Sequence, residues 1–322
     1  MEDSRAVLSM AMGKKTILCV GYLNIDCISI VKRFPKPNEV QTSTMGNWQR
    51  GGNAGNNCTV LRNFGADVEF FGVLSASPMI SFIQNDMHMR GIKWDNCPKC
   101  NEPPPLSSVI VNRKTHVSQV LNCKKSFPYP TLEDFQKLDL STYGWIHFRG
   151  CRADITIEMM KVVDAYNQTH SDKIVISMDF DTELTKNWPL VDYCQYVFFY
   201  RSLAKEMGWK SARASCENID DMLNMRFGIN LQRPFFMFLW NMQNFSFMDY
   251  DSNYYRTTSY KPKRFVDSLG ATEAFVSGFI YAVYVRERTH RIAADFASLI
   301  ANYKCTKHGF DHLPNILQVP VP

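Results

Sequence analysis

A short loop that leads into a predicted helix combines residue types suited to binding an anion and accepting a proton. The loop runs Asp267-Ser268-Leu269-Gly270-Ala271-Thr272-Glu273, and an apolar run with helical spacing follows from Phe275. Free backbone N–H groups at a helix N-terminus, together with the helix dipole, favour a bound anion. A carboxylate in the first turn can act as a general base on a nearby hydroxyl. We therefore expect Gly270 and Ala271 to form an anion-binding turn beside Glu273.

A glycine- and asparagine-rich stretch is the second polar group with a chemical pattern. It reads Trp48-Gln49-Arg50-Gly51-Gly52-Asn53-Ala54-Gly55-Asn56-Asn57. Paired glycines permit close backbone approach, and side-chain amides both donate and accept hydrogen bonds, which suits sugar hydroxyls. The stretch also begins a predicted helix, so Asn53 can equally be its N-cap while the other asparagines face solvent. The spacing alone favours neither interpretation.

Asp26 is the third candidate. It follows the first predicted strand, at the carboxyl end where open α/β sheets bind ligands. An acidic side chain there can hold a pair of hydroxyls, and a surface turn is the alternative interpretation.

These residues depend on an alternation of strands and helices along the chain. Buried strands are predicted at Thr16–Leu23, Val68–Leu74, Gly144–Phe148, Lys173–Phe180, Tyr196–Tyr200 and Phe235–Trp240. Helices are predicted at Ala54–Phe64, Ile80–Met89, Ile155–Tyr166, Ser202–Met207, Ile219–Met225, Ala271–Tyr284 and Ile292–Tyr303. This pattern predicts the α/β class, with a mainly parallel sheet covered by helices on both faces.

Two segments interrupt the alternation. Strand-like runs are predicted at Cys27–Phe34 with Gln41–Trp48, and at Leu106–Val111 with His116–Leu121. Short strands inserted at two points predict a small sheet that projects from the core. In an enzyme this sheet would be a lid over the active site; a dimer interface is the alternative, and the two roles are compatible.

The composition restricts the class of protein. The 322 residues, 45% of them hydrophobic, suffice for one large α/β core, and no apolar run approaches the roughly 20 residues that span a bilayer. A formal net charge of +5, scattered along the chain, does not indicate nucleic-acid binding. Ten cysteines without a secretory signal predict reduced thiols and a cytoplasmic protein. Cys97 and Cys100 lack further ligands at zinc-site spacing, so a plain loop is favoured there.

Several stretches, from about Ile17 to the C-terminus, resemble the ribokinase (PfkB-type) carbohydrate kinases. They are ILCVGYLNIDCISIV, NWQRGGNAGNNCTVLRNFGA, LDLSTYGWIHFRG, VDSLGATEAF and YKCTKHGFDHL. The resemblance implies a ribokinase-like three-layer α/β/α sandwich with a mainly parallel central sheet and a small inserted β-sheet lid. It implies one kinase domain over 14–322, with lid insertions at about 25–49 and 106–122, after a flexible extension over 1–13.

The same resemblance implies ATP-dependent phosphorylation of a sugar hydroxyl, with Mg²⁺ accompanying ATP and a monovalent cation as an additional cofactor. The implied sugar is a ketohexose, with fructose converted to fructose 1-phosphate. The implied assembly is a homodimer formed through the lid, and no nucleic-acid or membrane partner is implied.

Family motifs also assign roles by position. The implied sugar-binding residues are Asp26, Asn38, Gly52, Asn53 and Asn56. The implied anion hole is Gly270, Ala271 and Thr272, with Glu273 as the catalytic base. The implied nucleotide-binding residues are Asn241, Asn244 and Cys305. Asp179 and Asp181 would lie near Mg²⁺, which has no implied direct protein ligand.

The chain departs from the family pattern mainly where phosphate would be transferred. The changed positions are Asn38, Ser118, Asn241, Asn244, Thr272 and Glu273. In the family they hold, in order, a lid aspartate, a lid arginine, an alanine and a glycine of the nucleotide loop, and the glycine and aspartate of the catalytic turn. Displacing a carboxylate by ~1 Å can cost on the order of 100-fold in rate, and losing a charge-assisted contact costs about 1.5–3 kcal/mol.

Three hypotheses follow from these departures. The chain is a weakened carbohydrate kinase, or it is a pseudokinase that binds sugar or nucleotide, or pairs with an active relative, without catalysis. A third, purely structural interpretation keeps only the lid as an interaction surface.

Overall fold

The computed structural model describes residues 13–123, 126–228, 233–262 and 264–318, so nearly all of the predicted extension lies outside the described residues. The strands are β1 Thr16–Val20, β2 Asn24–Val31, β3 Met45–Gly51, β4 Val68–Phe71, β5 Leu74–Ser75, β6 Lys99–Cys100, β7 Leu106–Asn112, β8 Ser118–Cys123, β9 Tyr143–Arg149, β10 Val175–Phe180, β11 Tyr196–Tyr200, β12 Phe235–Asn241, β13 Asn244–Met248 and β14 Tyr254–Arg256. The α-helices are α1 Asn53–Asn63, α2 Ile80–Arg90, α3 Leu132–Gln136, α4 Ala153–Thr169, α5 Leu184–Asn187, α6 Arg201–Glu206, α7 Ala212–Phe227, α8 Ala271–Ile280 and α9 His290–Lys304.

The central sheet has eight strands in the order β14-β13-β12-β11-β10-β9-β1-β4. The strands from β12 to β4 in this order run parallel, whereas β13 and β14 add an antiparallel edge. The parallel strands are rich in β-branched and aromatic residues and are buried along nearly their whole length, as expected where helices cover both faces. The predicted α/β class with a mainly parallel sheet is confirmed.

Two details of the sheet differ from the sequence prediction. β1 ends at Val20, and the chain enters the lid strand β2 at Asn24, so the strand predicted over 16–23 is too long. The strands β13 and β14 were not predicted. The turn between β12 and β13 is only Met242 and Gln243, which carry none of the glycine, proline or aspartate signals typical of a hairpin.

Helices cover both faces of the central sheet. On one face α1, α8 and α9 pack together, and the Phe275 ring of α8 stacks on Phe245 of β13 with centroids 4.0 Å apart. On the other face α4 and α7 bury residues such as Met159 and Leu223. Each large apolar side chain that is fully buried contributes roughly 1.5–3 kcal/mol. This packing fixes the N-terminus of α8 against the sheet.

The lid is a second sheet of four strands in the order β3-β2-β7-β8. Its central pair, β2 and β7, is parallel, and both outer pairs are antiparallel. A small apolar cluster of Ile30, Val109 and Val111 lies on one face, and Leu269 of the loop before α8 packs against it. The lid therefore rests on the loop that the sequence identified as an anion-binding turn. Among the described residues, no helix is long and apolar enough to cross a membrane.

Candidate active site

The turn at the start of α8 has the shape that the sequence predicted. Gly270 is the N-cap, with a left-handed backbone at φ 78°, and Ala271 is the first helical residue. A Cβ at Gly270 would clash with the Phe310 ring and would lie 3.4 Å from Nδ2 of Asn56. Only glycine fits this position, and its bare backbone brings Asn56 of α1 next to the turn.

Glu273 lies in the first turn of α8, and only 8% of its surface is exposed. Thr272 Oγ1 donates a hydrogen bond of 3.0 Å to Glu273 Oε2. Burial raises the pKa of Glu273, and the negative charge of Asp179 raises it further. A carboxylate with a raised pKa is a stronger base once it is ionised, which suits proton removal from a hydroxyl.

An arginine that the sequence analysis did not single out lies beside Glu273. Arg149, at the end of β9, places Nη1 3.6 Å from Asp179 Oδ2 and donates through Nη2 to Asp181 Oδ2 at 2.6 Å. Arg149 and Asp179 are opposite each other on neighbouring parallel strands. Because the carboxyl ends of parallel strands share one edge, an arginine ending one strand and an aspartate ending the next could have been paired from the sequence.

Asp179 is fully enclosed. Its Oδ1 accepts a hydrogen bond of 2.9 Å from Tyr200, and its Oδ2 lies 3.6 Å from His147 Nε2. Burial by itself raises the pKa of Asp179, but the charges of His147 and Arg149 outweigh it and hold the pKa below its usual range. Asp179 is therefore a fixed negative charge near the turn.

The two predicted metal-side carboxylates are thus already engaged. Asp181 accepts from Arg149 and also from the Ser202 hydroxyl. In the described ranges no group of three or more His, Cys, Asp or Glu side chains could hold a metal ion. Because the Arg149 guanidinium is hydrogen-bonded to Asp181 and lies 3.6 Å from Asp179 Oδ2, its positive charge opposes a divalent cation ligated directly at this edge. A Mg²⁺ ion would have to enter with the nucleotide, held by its phosphates and water.

Asp26 lies inside the lid strand β2, which corrects its predicted place directly after the first sheet strand and excludes the surface-turn alternative. It is buried, and its Oδ1 accepts a hydrogen bond of 2.5 Å from Asn24 Nδ2. Burial raises the pKa of Asp26, although hydrogen bonds from neighbours including Asn24 and Ser107 oppose the shift. The negative charge of Asp267 adds to the upward shift of the Asp26 pKa.

The glycine–asparagine stretch also differs in detail from the predicted cap. Gly52, with φ 88°, is the N-cap of α1, and no side chain caps the helix, so Asn53 is the first helical residue rather than the N-cap. A Cβ at Gly52 would clash with the carbonyl oxygen of Tyr22. Asn56 is buried, and its Oδ1 has no hydrogen-bond partner within the described part of the chain. Asn57 is structural instead, because its Oδ1 accepts a bond of 3.0 Å from Ser277 of α8.

The nucleotide-side candidates are engaged in their own local structure. Asn241 Oδ1 accepts a bond of 2.9 Å from the Gln243 N–H, and Asn244 Oδ1 accepts one of 2.9 Å from the Ser246 hydroxyl. Cys305 is fully buried, and burial raises the pKa of its thiol to about 11. The β12–β13 turn and Cys305 both lie beside α9, because Asn302 of α9 donates to the Met242 carbonyl oxygen and Cys305 directly follows this helix.

The remaining two candidates, Asn38 and Ser118, belong to the lid. Asn38 is exposed in the loop between β2 and β3 and has a left-handed backbone at φ 62°. Ser118 begins the outer strand β8. Within the described protomer, neither residue makes a hydrogen bond to the other predicted site residues.

A buried ion pair that the sequence reasoning missed fixes the loop before α8. Lys304, the last residue of α9, is fully buried, and its Nζ lies 2.6 Å from Asp267 Oδ2 and 3.2 Å from the Asp267 carbonyl oxygen. Asp267 also accepts from the backbone N–H groups of Leu269 and Gly309. The turn is therefore held rigidly between α9 and the C-terminal segment.

Comparison with known proteins agrees with this architecture. The family model described as pfkB family carbohydrate kinase matches residues 14–198. Mouse ketohexokinase is 27% identical over 303 residues, which cover 93% of this chain and 99% of that protein. Among solved structures, a ribokinase from Giardia lamblia superposes with a TM-score of 0.78 at 15% identity, covering 95% of this chain and 99% of its own.

A second solved structure, the ribokinase of Arabidopsis thaliana complexed with ribose and ATP, superposes with a TM-score of 0.72 at 15% identity, covering 95% of this chain and 98% of its own. The ribokinase of Cryptococcus neoformans in complex with ADP gives a TM-score of 0.72 at 13% identity, covering 95% and 99%. The family match over more than half of the chain, on a fold that these structures share, establishes that the chain belongs to the pfkB family of carbohydrate kinases.

Proposed function

We propose that this chain is a ketohexokinase-like carbohydrate kinase that transfers the terminal phosphate of ATP to a sugar hydroxyl, with fructose converted to fructose 1-phosphate at a reduced rate. One observation carries the proposal: a buried carboxylate, Glu273, lies one turn from Gly270, and Gly270 lies next to Nδ2 of Asn56, whose Oδ1 has no hydrogen-bond partner among the described residues. A proton acceptor and a site for hydroxyls are thus combined at one helix N-terminus.

In the proposed reaction, Asp26 and Asn56 hold hydroxyls of the sugar, and the Glu273 carboxylate takes the proton of the hydroxyl that attacks. A bond forms between that oxygen and the terminal phosphorus of ATP, the bond from phosphorus to the bridging oxygen breaks, and ADP leaves with the electron pair. The N-terminus of α8 stabilises the charge that develops on the phosphate oxygens.

Three features support a reduced rate. Glutamate places its carboxylate about one C–C bond farther from the backbone than the family's aspartate, and ~1 Å of misplacement can cost on the order of 100-fold. Thr272 adds a side chain to the turn and binds the same carboxylate. The lid has Ser118 where the family places a phosphate-binding arginine.

A pseudokinase is the second candidate, and the engaged nucleotide side favours it. The amide oxygens of Asn241 and Asn244 are bonded inside the β12–β13 hairpin, and Arg149 forms ion pairs with both Asp179 and Asp181. Under this hypothesis the sugar side binds while phosphate transfer fails.

One assay separates the two. Purified protein is incubated with MgATP and a panel of ketohexoses and aldohexoses, ADP release is measured, and Glu273→Gln serves as the matched control. The kinase proposal requires turnover with fructose well above that of the variant. Fructose-induced thermal stabilisation without turnover would instead establish the pseudokinase, and the absence of both would overturn both.

The lid supports the proposal of a homodimer. Its outer strands expose large apolar side chains, among them Trp48 of β3 and Leu121 of β8, which are 60% and 69% exposed. Burial of these side chains against a second copy of the chain would remove apolar surface from water. Light scattering should report a dimer that Leu121→Glu converts to a monomer, whereas a monomeric parent would contradict the homodimer proposal.

All ten cysteines are free, which supports the proposal of a cytoplasmic protein.

A further inference from the structure

A cavity of about 400 Å³ lies between the lid and the segment that precedes the catalytic turn. The lid contributes Thr44 before β3 and two residues of the β7–β8 turn, Arg113 and His116. The core contributes Arg264 and Val266, and His308 follows α9. The His116 ring packs edge-on against Phe265 with centroids 6.1 Å apart, so the tip of the lid touches this segment.

The charge of this cavity is one-sided. Two arginines and two histidines line it, and no carboxylate among the described residues does. The guanidinium groups of Arg113 and Arg264 make no ion pair and no hydrogen bond with the rest of the described chain. By contrast, the exposed Arg33 is paired with Glu39, and Arg213 with Glu217. Converging unpaired cations repel each other, and a bound anion would remove that repulsion.

The chemistry of the lining selects the class of anion. Guanidinium groups present planar forks of N–H donors that match phosphate oxygens, and the Thr44 hydroxyl and the imidazoles add single donors. A volume of about 400 Å³ is more than one phosphate group needs, so a larger phosphorylated small molecule fits.

This cavity is separate from the anion hole. Its lining contains none of Gly270, Ala271, Thr272 or Glu273. It includes Ile30, four residues along β2 from Asp26, which corresponds to roughly 13 Å at the usual rise of a strand. It is also close to the turn, because Val266 directly precedes Asp267.

We propose that this cavity is a second anion site, which binds the phosphate groups of a phosphorylated small molecule through Arg113, Arg264, His116 and His308. Its ligand is a phosphate ester other than the nucleotide donor. Binding there requires no turnover, so the site stands whether or not the chain is an active kinase.

The probe is inorganic pyrophosphate, titrated into the full chain by calorimetry at two salt concentrations. Parent protein should bind it saturably, and Arg113→Gln/Arg264→Gln should weaken binding by at least about tenfold and reduce its salt dependence. The control Arg33→Gln/Arg213→Gln removes the same charge elsewhere and should bind as the parent does. Glu273→Gln should also bind as the parent does, which separates this site from failure of the proposed chemistry.

The proposal would be overturned if pyrophosphate binding to the parent protein does not saturate. It would also be overturned if Arg33→Gln/Arg213→Gln loses as much pyrophosphate affinity as Arg113→Gln/Arg264→Gln. If the Gln double variant lowers the melting temperature, Arg113→Lys/Arg264→Lys keeps the charge and should retain most of the affinity. Competition with ADP distinguishes the sources. Simultaneous binding of ADP and pyrophosphate supports a second site, whereas mutual exclusion assigns the cavity to the donor's phosphates and overturns the proposal.

Discussion

The Thr272 hydroxyl donates a hydrogen bond of 3.0 Å to Oε2 of Glu273, the next residue in the chain. Side chains one residue apart on a helix do not usually face each other, so this bond draws the carboxylate toward Thr272. A donated hydrogen bond also stabilises the ionised carboxylate and weakens it as a base. The residue that crowds the turn therefore also restrains the group expected to accept the proton.

Restoring the turn should increase activity. In Thr272→Gly/Glu273→Asp the hydrogen bond and the side chain at 272 are both removed, and the carboxylate moves back by about one C–C bond. We expect kcat/KM for fructose to rise at least about tenfold, measured by ADP release. Thr272→Val is the control, because it removes only the hydrogen bond while keeping the bulk. An unchanged rate in the double variant would mean that the defect lies elsewhere, on the nucleotide side.

The stability of the protein should depend on pH through Glu273. Its folded-state pKa is raised above the ordinary value of 4.5, first by burial and then by Asp179. Its contribution is therefore fully present below about pH 4.5 and is lost as pH rises through the folded-state pKa. Glu273→Gln is neutral at every pH, so its melting temperature should gain on the parent's as pH rises from 4.5. A difference that stays constant between about pH 4 and 8 would contradict the raised pKa.

Removing the Arg149 side chain should leave Asp179 and Asp181 without the positive charge of the guanidinium and destabilise the protein. Arg149→Gln leaves the enclosed Asp179 without its cation, and we expect a loss of about 3 kcal/mol in the free energy of unfolding. The control Arg152→Gln breaks an exposed pair with Asp154 and should cost at most about 1 kcal/mol.

Arg149→Gln also tests whether Arg149 prevents Mg²⁺ from binding at the carboxyl ends of β9 and β10. With Arg149 gone, Oδ2 of Asp179 and Oδ2 of Asp181 lose the cation that faces them, so Mg²⁺ should raise the melting temperature of Arg149→Gln and leave that of the parent unchanged. Stabilisation of the parent by Mg²⁺ alone would show that the guanidinium does not occupy the cation position.

Much of the site could be predicted because its signals are local. Gly270 and Glu273 are three residues apart at one helix start, and the asparagines directly follow Gly52 at another, so each group is recognisable as a local motif. Arg149, by contrast, meets Asp181 across 32 residues, and only the register of two parallel strands brings them together.

The remaining misses have the same physical origin. Lys304 looks like an ordinary basic residue at a helix C-terminus, but tertiary packing buries it on Asp267. The sequence also presents Arg113 and Arg264 as part of scattered positive charge, and they converge only because the lid closes on the segment before α8. Periodicity could not locate β13, whose pairing depends on a two-residue turn with weak composition signals.

Asn56 and Asn57 are adjacent asparagines with opposite expected roles. Asn57 Oδ1 is satisfied by Ser277, whereas Asn56 Oδ1 is buried without a partner among the described residues, and Nδ2 of the same amide lies next to Gly270. An unsatisfied buried acceptor costs about 1–3 kcal/mol, which a sugar hydroxyl would recover on binding. Asn56→Ala should therefore leave the ligand-free melting temperature nearly unchanged or raise it, while fructose loses at least about tenfold in affinity in a thermal-shift titration. Asn57→Ala should lower the ligand-free melting temperature, because it removes the hydrogen bond to Ser277. The folded Asn57→Ala protein should keep the fructose affinity of the parent. Equal effects of the two substitutions on fructose binding would remove Asn56 from the sugar site.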